Sequence, residues 1–179
     1  MKKKRAADFY NDSELRKLPS PFFSYKAAIE GSYPDYSYPT ADTLVLKVGA
    51  QVMFVKNDPS GSHRYYNGRI GQVTYLDRDK VMVYCEGDEK AIDVEPLEWE
   101  NTRYTLNDAT REIEAEVVGK FRQFPLRLAW AITIHKSQGL TFDRAIIDAN
   151  QSFAPGQVYV ALSRCRTLGG LVLAAPLDP

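Results

Sequence analysis

Two short stretches hold the residues best suited to chemistry. Thr133, His135, Lys136, Ser137 and Gln138 crowd together ahead of Gly139, and Ser163, Arg164 and Arg166 follow further along. Thr133 can cap a helical turn that Gly139 ends. A helix N-terminus offers free backbone N–H groups to anions, and each polar side chain here can meet a phosphate, a ribose or a base edge. Gly139 lets the backbone approach a ligand closely or adopt a left-handed angle. Arginine's planar fork matches a phosphoryl group, and an arginine reaching across a domain interface stabilises charge in phosphoryl transfer. Plainer readings exist for both stretches. The first is also an ordinary capped turn with a glycine stop. Arginines at a helix C-terminus match its dipole, which accounts well for Arg166 and less well for two arginines beside Ser163. Cys85 and Cys165 form no metal-spaced pair and His63 stands far from His135, so two reduced thiols and no metal site are expected.

The elements around these residues set their positions. Leu126 to Trp130 reads as a buried strand, Ala145–Ile147 as a second, and Leu171–Leu173 as a third. Pro155 suits the first position of a helix running to about Arg166, with Val158 and Leu162 on one face and Gly169-Gly170 as its stop. Near-continuous apolar strands around a helix point to a parallel α/β sheet. Upstream the texture differs. Two apolar strands flank Gly49, a polar loop covers 57–67, and β-like stretches span 70–76, 80–85, 90–94 and, more loosely, 112–124. Turn signals such as Asn67-Gly68 separate them, which suggests a small antiparallel β-barrel. The first forty residues read as irregular, with one short helix from Ser13 to Leu18 capped by Ser13 and stopped by Pro19. Phe22, Phe23, Tyr25, Tyr33, Tyr36 and Tyr38 lie in a Pro-containing coil, where aromatics either stack on bases or pin a loop to its own domain.

Composition narrows the classes. The chain has 179 residues, 44% hydrophobic and 26% charged, enough for one packed domain with a small insertion. Formal net charge is zero, which excludes a protein that coats nucleic acid by bulk electrostatics and leaves room for local contacts. No apolar run reaches the roughly 20 residues that span a bilayer. Met1-Lys2-Lys3-Lys4-Arg5 lacks the apolar stretch of a secretory signal and reads as a solvated tail.

Taken together, Leu126 to Asp143 and Gly156 to Arg166 resemble motifs V and VI of a superfamily-one DNA helicase. The resemblance is to the family of petite-integration-frequency, RecD-type and Dda-like helicases. Leu46 to Met53, Asn67 to Gly71 and Leu15 to Pro19 resemble the same family, so it covers nearly the whole chain and is weakest over 86–121. It implies an α/β fold: a partial RecA-like parallel sheet, the second motor domain, interrupted by a small Src-homology-3-like antiparallel barrel. Residues 1–59 and 125–179 would form the two parts of that motor domain, and residues 60–124 the inserted barrel. By resemblance, Arg164 is the arginine finger to the ATP γ-phosphate, Gln138 and Gly139 lie against the nucleotide, and Thr133, His135 and Lys136 face the DNA. Gln157 and Tyr159 support their helix.

The family moves 5′ to 3′ along single-stranded DNA and serves DNA repair, recombination and telomere maintenance. Its members work inside cells, in the bacterial cytoplasm or otherwise with DNA, so secretion is not expected. No Gly-Lys-Ser/Thr phosphate loop or paired acidic Walker B residues occur in this sequence. ATP and Mg2+ are therefore expected only in a complete helicase, with none bound by this chain alone. The expected partners are single-stranded DNA and the other RecA-like domain, on the same parent chain or a separate subunit, and no membrane. Two other readings stand beside this one: a non-catalytic single-stranded nucleic-acid-binding module derived from a helicase, and a protein-interaction barrel with a decayed α/β remnant.

Overall fold

The computed structural model describes residues 2–106, 111–148 and 155–176. In chain order they form α1 (Lys2–Lys17), β1 (Phe22–Lys26), β2 (Ala28–Gly31), β3 (Thr43–Lys47), β4 (Gln51–Phe54), β5 (Ile70–Leu76), β6 (Val81–Tyr84), β7 (Ile92–Val94), β8 (Leu97–Leu106), β9 (Ile113–Gln123), β10 (Leu126–Leu128), β11 (Ala145–Ile147), α2 (Pro155–Leu162) and β12 (Leu171–Leu173). Two compact units result, Asn11–Trp130 and Met1–Tyr10 with Ala131–Pro179.

The larger unit is antiparallel throughout. Its main sheet runs in the order β10-β4-β5-β6-β7. Alternation along the strands sends Val52, Phe54, Val81, Val83, Ile92, Val94 and Leu126 inward, while Asp93 and Tyr84 face out. On β5 the inward residues are Val73 and Leu76, three apart instead of two. A register shift between Val73 and Tyr75 reconciles them, inserting the extra residue of a β-bulge. Phe54 stacks on Tyr65 with ring centroids 4.1 Å apart. Burying each such side chain contributes roughly 1.5–3 kcal/mol. Gly49 turns the chain between β3 and β4 at φ 93°, an angle that favours glycine, and the Ala50 N–H closes the turn on the Lys47 carbonyl at 3.0 Å.

A second sheet, β2-β9-β8, and the pair β1-β3 complete this unit. Buried Gln123 joins segments distant in sequence: its amide donates to the Tyr25 carbonyl at 2.8 Å, and its oxygen accepts from the Phe124 N–H at 2.9 Å. Tyr33 and Tyr38 pack on Phe121, with centroids 5.6 Å and 4.8 Å away, so these two aromatics pin the coil to its own domain. Tyr36 and Phe22 remain exposed.

The smaller unit holds the parallel pair β11-β12, joined through α2. Ile146 and Val172 sit opposite each other on one face of that pair and are exposed.

Several expectations change. The N-terminal helix begins at Lys2, not Ser13, so the basic segment from Lys2 is helical instead of a tail. Residues 2–17 contain neither Gly nor Pro and are rich in Lys, Arg and Ala, which is enough for helix without an apolar stripe. The first forty residues also contain β1 and β2. The ten-residue β8 lies where no strand was expected. β10 pairs antiparallel with β4 and not within a parallel sheet, so the parallel part comprises β11 and β12. Finally, α2 ends at Leu162, because Cys165 leaves the helix to form a parallel bridge with Phe142.

Candidate nucleotide and nucleic-acid site

The residues singled out from the sequence lie in the smaller unit on two facing segments. Ile134–Ser137 forms a single 3-10 turn, not an α-helix. Thr133 occupies its N-cap with extended backbone, and its carbonyl accepts the Lys136 and Ser137 N–H groups at 2.9 Å and 3.1 Å. The Thr133 hydroxyl makes no capping bond, contrary to the capping role its position suggests. Ser137 is buried and its hydroxyl donates to the Ile134 carbonyl at 2.7 Å, so it holds the turn together. His135, Lys136, Gln138 and Gly139 are exposed, and Thr133 is half-buried. Gly139 has φ 78°, and a Cβ placed on it would meet nothing within 4 Å. That backbone therefore stands open to a ligand.

Arg164 lies two residues beyond the end of α2. Its Nε donates to the Val160 carbonyl at 3.1 Å, Nη1 to the Leu140 carbonyl at 3.4 Å, and Nη2 to the Ser163 hydroxyl at 3.0 Å. Leu140 is the residue after Gly139, so the structure brings the guanidinium to the exit of the 3-10 turn. These acceptors are all neutral. A half-buried guanidinium hydrogen-bonded to neutral oxygens keeps its charge available to an anion, and charge-assisted bonds to phosphate are stronger than those it now makes. Arg166 pairs instead with Asp143 at 3.4 Å, with both side chains largely exposed. Tyr159 is exposed on α2.

The two segments are stitched together along the backbone. The Phe142 N–H donates to the Arg164 carbonyl at 2.8 Å, and the Arg166 N–H donates to the Phe142 carbonyl at 3.1 Å. Gly170 closes the arrangement: a Cβ there would collide with the Asp143 carbonyl oxygen.

The ATP-dependent DNA helicase Pif1 of Bdellovibrio bacteriovorus is 42% identical over 135 residues, which is 75% of this chain and 28% of that protein. The unliganded Pif1 structure from a Bacteroides species superposes with a TM-score of 0.86 at 44% identity, over 98% of this chain and 39% of that one. The chain belongs to the Pif1 helicase family. A Bacteroides Pif1 structure in complex with ADP-AlF3 and single-stranded DNA matches with a TM-score of 0.76 at 44% identity, over 98% of this chain and 39% of its own. No family model matches the sequence. The chain thus spans about a third of the length of the Pif1 proteins it resembles.

Among the described residues, no group of three or more His, Cys, Asp or Glu side chains is placed to hold a metal ion, and no helix is long and apolar enough to cross a membrane. Sequence reasoning read Gly170 as a helix stop and gave Phe142 no role. The signal at Gly170 was its doubled glycine, which marks close backbone approach as readily as a stop.

Proposed function

We propose that this chain is the C-terminal portion of an ATP-dependent DNA helicase and works as one side of its motor. The observation that carries the reading is the Arg164 guanidinium, held against the exit of the 133–139 turn by neutral acceptors alone. In this reading Arg164 is the arginine finger to the γ-phosphate, and Gln138 and Gly139 lie against the nucleotide. Thr133, His135 and Lys136 hold the backbone of single-stranded DNA. The Walker A and B groups come from another RecA-like domain, of the same parent protein or of a separate subunit. Mg2+ would neutralise phosphate charge in the complete enzyme. In this reading the chain's own contribution is the arginine charge and the placing of the strand.

The second RecA-like domain is assigned to residues 1–59 and 125–179, and residues 60–124 to an inserted Src-homology-3-like barrel. Support for a RecA-like sheet in this part comes from the parallel pairing of β11 and β12 with α2 between them in the chain, the crossover on which parallel sheets are built. The antiparallel sheet attributed to the barrel recruits β4 and β10 from outside residues 60–124. The family's 5′-to-3′ polarity is part of the same proposal.

The test joins this chain to the phosphate-loop part of the Bacteroides helicase and measures ATP hydrolysis with single-stranded DNA. The chain alone is expected to be inactive and the joined protein active. Arg164→Ala is expected to lower kcat about 10³-fold while oligo-dT affinity stays near that of the parent. Unchanged turnover in Arg164→Ala would overturn the assignment and favour a non-catalytic single-stranded nucleic-acid-binding module.

A further inference from the structure

We infer that Phe142, Asp143, Arg166 and Gly170 act as a clamp that makes the DNA-facing turn and Arg164 move as one piece, with Gly170 its key positioning residue. The inference rests on the helicase reading above for its two ligands. The clamp itself rests on geometry.

Segment 140–143 leaves the turn, and segment 164–170 leaves α2. Neither is long enough to be rigid alone. Four independent links hold them in register. The Phe142 N–H and carbonyl bond to the Arg164 carbonyl and the Arg166 N–H at 2.8 Å and 3.1 Å, forming a one-residue parallel bridge. The Arg164 side chain reaches across to the Leu140 carbonyl at 3.4 Å. The Asp143–Arg166 ion pair lies just beyond, at 3.4 Å. The fourth link depends on size: Gly170 lets the Asp143 carbonyl approach so closely that any Cβ would displace it. Gly170 is in turn fixed by its N–H to the Thr167 carbonyl at 3.2 Å and by the Cys165 thiol, which donates to its carbonyl at 3.8 Å.

The consequence is mechanical. A strand bound at Thr133, His135 and Lys136 shifts the turn, and the turn's exit carries the main chain of Arg164 on two backbone hydrogen bonds. Exposed ion pairs contribute little by themselves, so Asp143–Arg166 acts as a guide and the backbone bridge as the connection. A methyl group at position 170 would push Asp143 away and open the bridge without touching a ligand-facing residue.

The experiment uses the full chain, labelled oligo-dT and residue-resolved amide hydrogen exchange. In the parent chain, oligo-dT is expected to slow exchange at Lys136 and Ser137 in the turn and, about tenfold, at Arg166 across the clamp. Gly170→Ala is expected to keep oligo-dT affinity by fluorescence anisotropy and the slowing in the turn, and to lose the slowing at Arg166. Persistence of the Arg166 effect in Gly170→Ala overturns the inference, as does slowing confined to the turn in the parent. Should Gly170→Ala fail to fold, Phe142→Pro, which lacks the N–H that the Arg164 carbonyl accepts, is expected to lose the Arg166 effect while the slowing in the turn remains. Persistence of the Arg166 effect in Phe142→Pro overturns the clamp. Absence of any oligo-dT binding removes the helicase reading and the inference with it, whereas binding without transmission removes the inference alone.

Discussion

Replacing Asp58 with alanine removes the most heavily used buried carboxylate described in the larger unit. Its side chain is 0% exposed and accepts four hydrogen bonds: from Arg64 Nε at 2.8 Å and Nη2 at 3.1 Å, and from the Ser60 and Arg64 N–H groups at 3.0 Å each. These bonds fold the loop that carries Tyr65 into the core against Phe54. Breaking a buried pair by removing one partner typically costs about 3–5 kcal/mol. The Arg64 side chain is 38% exposed and regains water when its partner is lost, which lowers the expected cost to about 2–4 kcal/mol. For a protein of this size that corresponds to a Tm lower by about 5–15 °C. Urea denaturation followed by tryptophan fluorescence measures the loss. Arg64→Ala and the double variant complete a cycle whose coupling is expected at about 1–3 kcal/mol.

Acid gives a second measure of the same contact. The Arg64 hydrogen bond, aided by the Ser60 and Arg64 N–H groups and opposed by desolvation, holds the Asp58 carboxyl well below the usual carboxylate range. A depressed carboxyl contributes stability that is present above its ordinary pKa, near 4, and disappears as pH falls further. Stability is therefore expected to drop below about pH 4 in the parent and to lack that component in Asp58→Asn. A loss under about 0.5 kcal/mol in Asp58→Ala, within the range of ordinary surface changes, would refute the reasoning.

Three other outcomes follow from the same structure. The Tyr25 hydroxyl donates to the Asp77 carbonyl at 2.6 Å, and burial, then the Asp77 and Asp79 charges, push its phenol up to about 12. Its stabilisation is present below the ordinary value near 10 and declines as pH rises toward 12, so Tyr25→Phe should cost about 1 kcal/mol at neutral pH and flatten that alkaline slope in unfolding titrations. A Cβ at Gly71 would meet the Val83 side chain at 2.5 Å, the Tyr84 carbonyl at 2.8 Å and the Cys85 sulfur at 2.9 Å, whereas one at Gly156 in α2 meets nothing within 4 Å. Gly71→Ala should cost about 1–3 kcal/mol and Gly156→Ala should be neutral or stabilising by up to about 1 kcal/mol, read from denaturation midpoints. Cys85 is 1% exposed and burial raises its thiol pKa, while Cys165 is half-buried, so a thiol reagent should titrate Cys165 in the native state and Cys85 only on unfolding.

What could be read from residues alone was whatever depends on near neighbours. The turn at Gly49, the strand 70–76 and the strand Ala145–Ile147 follow from a glycine in the left-handed region or from short apolar runs, and the structure places them there. Pairing partners are another matter. Nothing within Leu126–Leu128 says that it will meet β4 antiparallel, because the partner lies far upstream. β8 was invisible because its outer half, Arg103 to Leu106, is exposed and shows no one-sided burial. In α1 the opposite holds: composition favours helix, but no apolar face advertises it. At the site, the polar turn 133–138 was legible from its density of donors. The reach of Arg164 to Leu140 was not, since a hydrogen bond to a carbonyl many residues away leaves no mark on side-chain identity.

The pairing of β4 with β10 also fixes a timetable for the nascent chain. Val52 and Phe54 emerge early, yet one edge of their strand stays open until Leu126 to Leu128 have been synthesised. The Thr40 hydroxyl waits for the Leu126 carbonyl, and the Arg127 guanidinium arrives later still to meet the carbonyls of Tyr38 and Pro39. Local hairpins such as β5-β6 can form on the ribosome in the meantime, because closing short loops is fast. A premature stop anywhere before Leu126 leaves that apolar edge wet and ready to pair with a stray strand, so truncated products should be cleared or aggregate instead of accumulating as half-sized folded pieces.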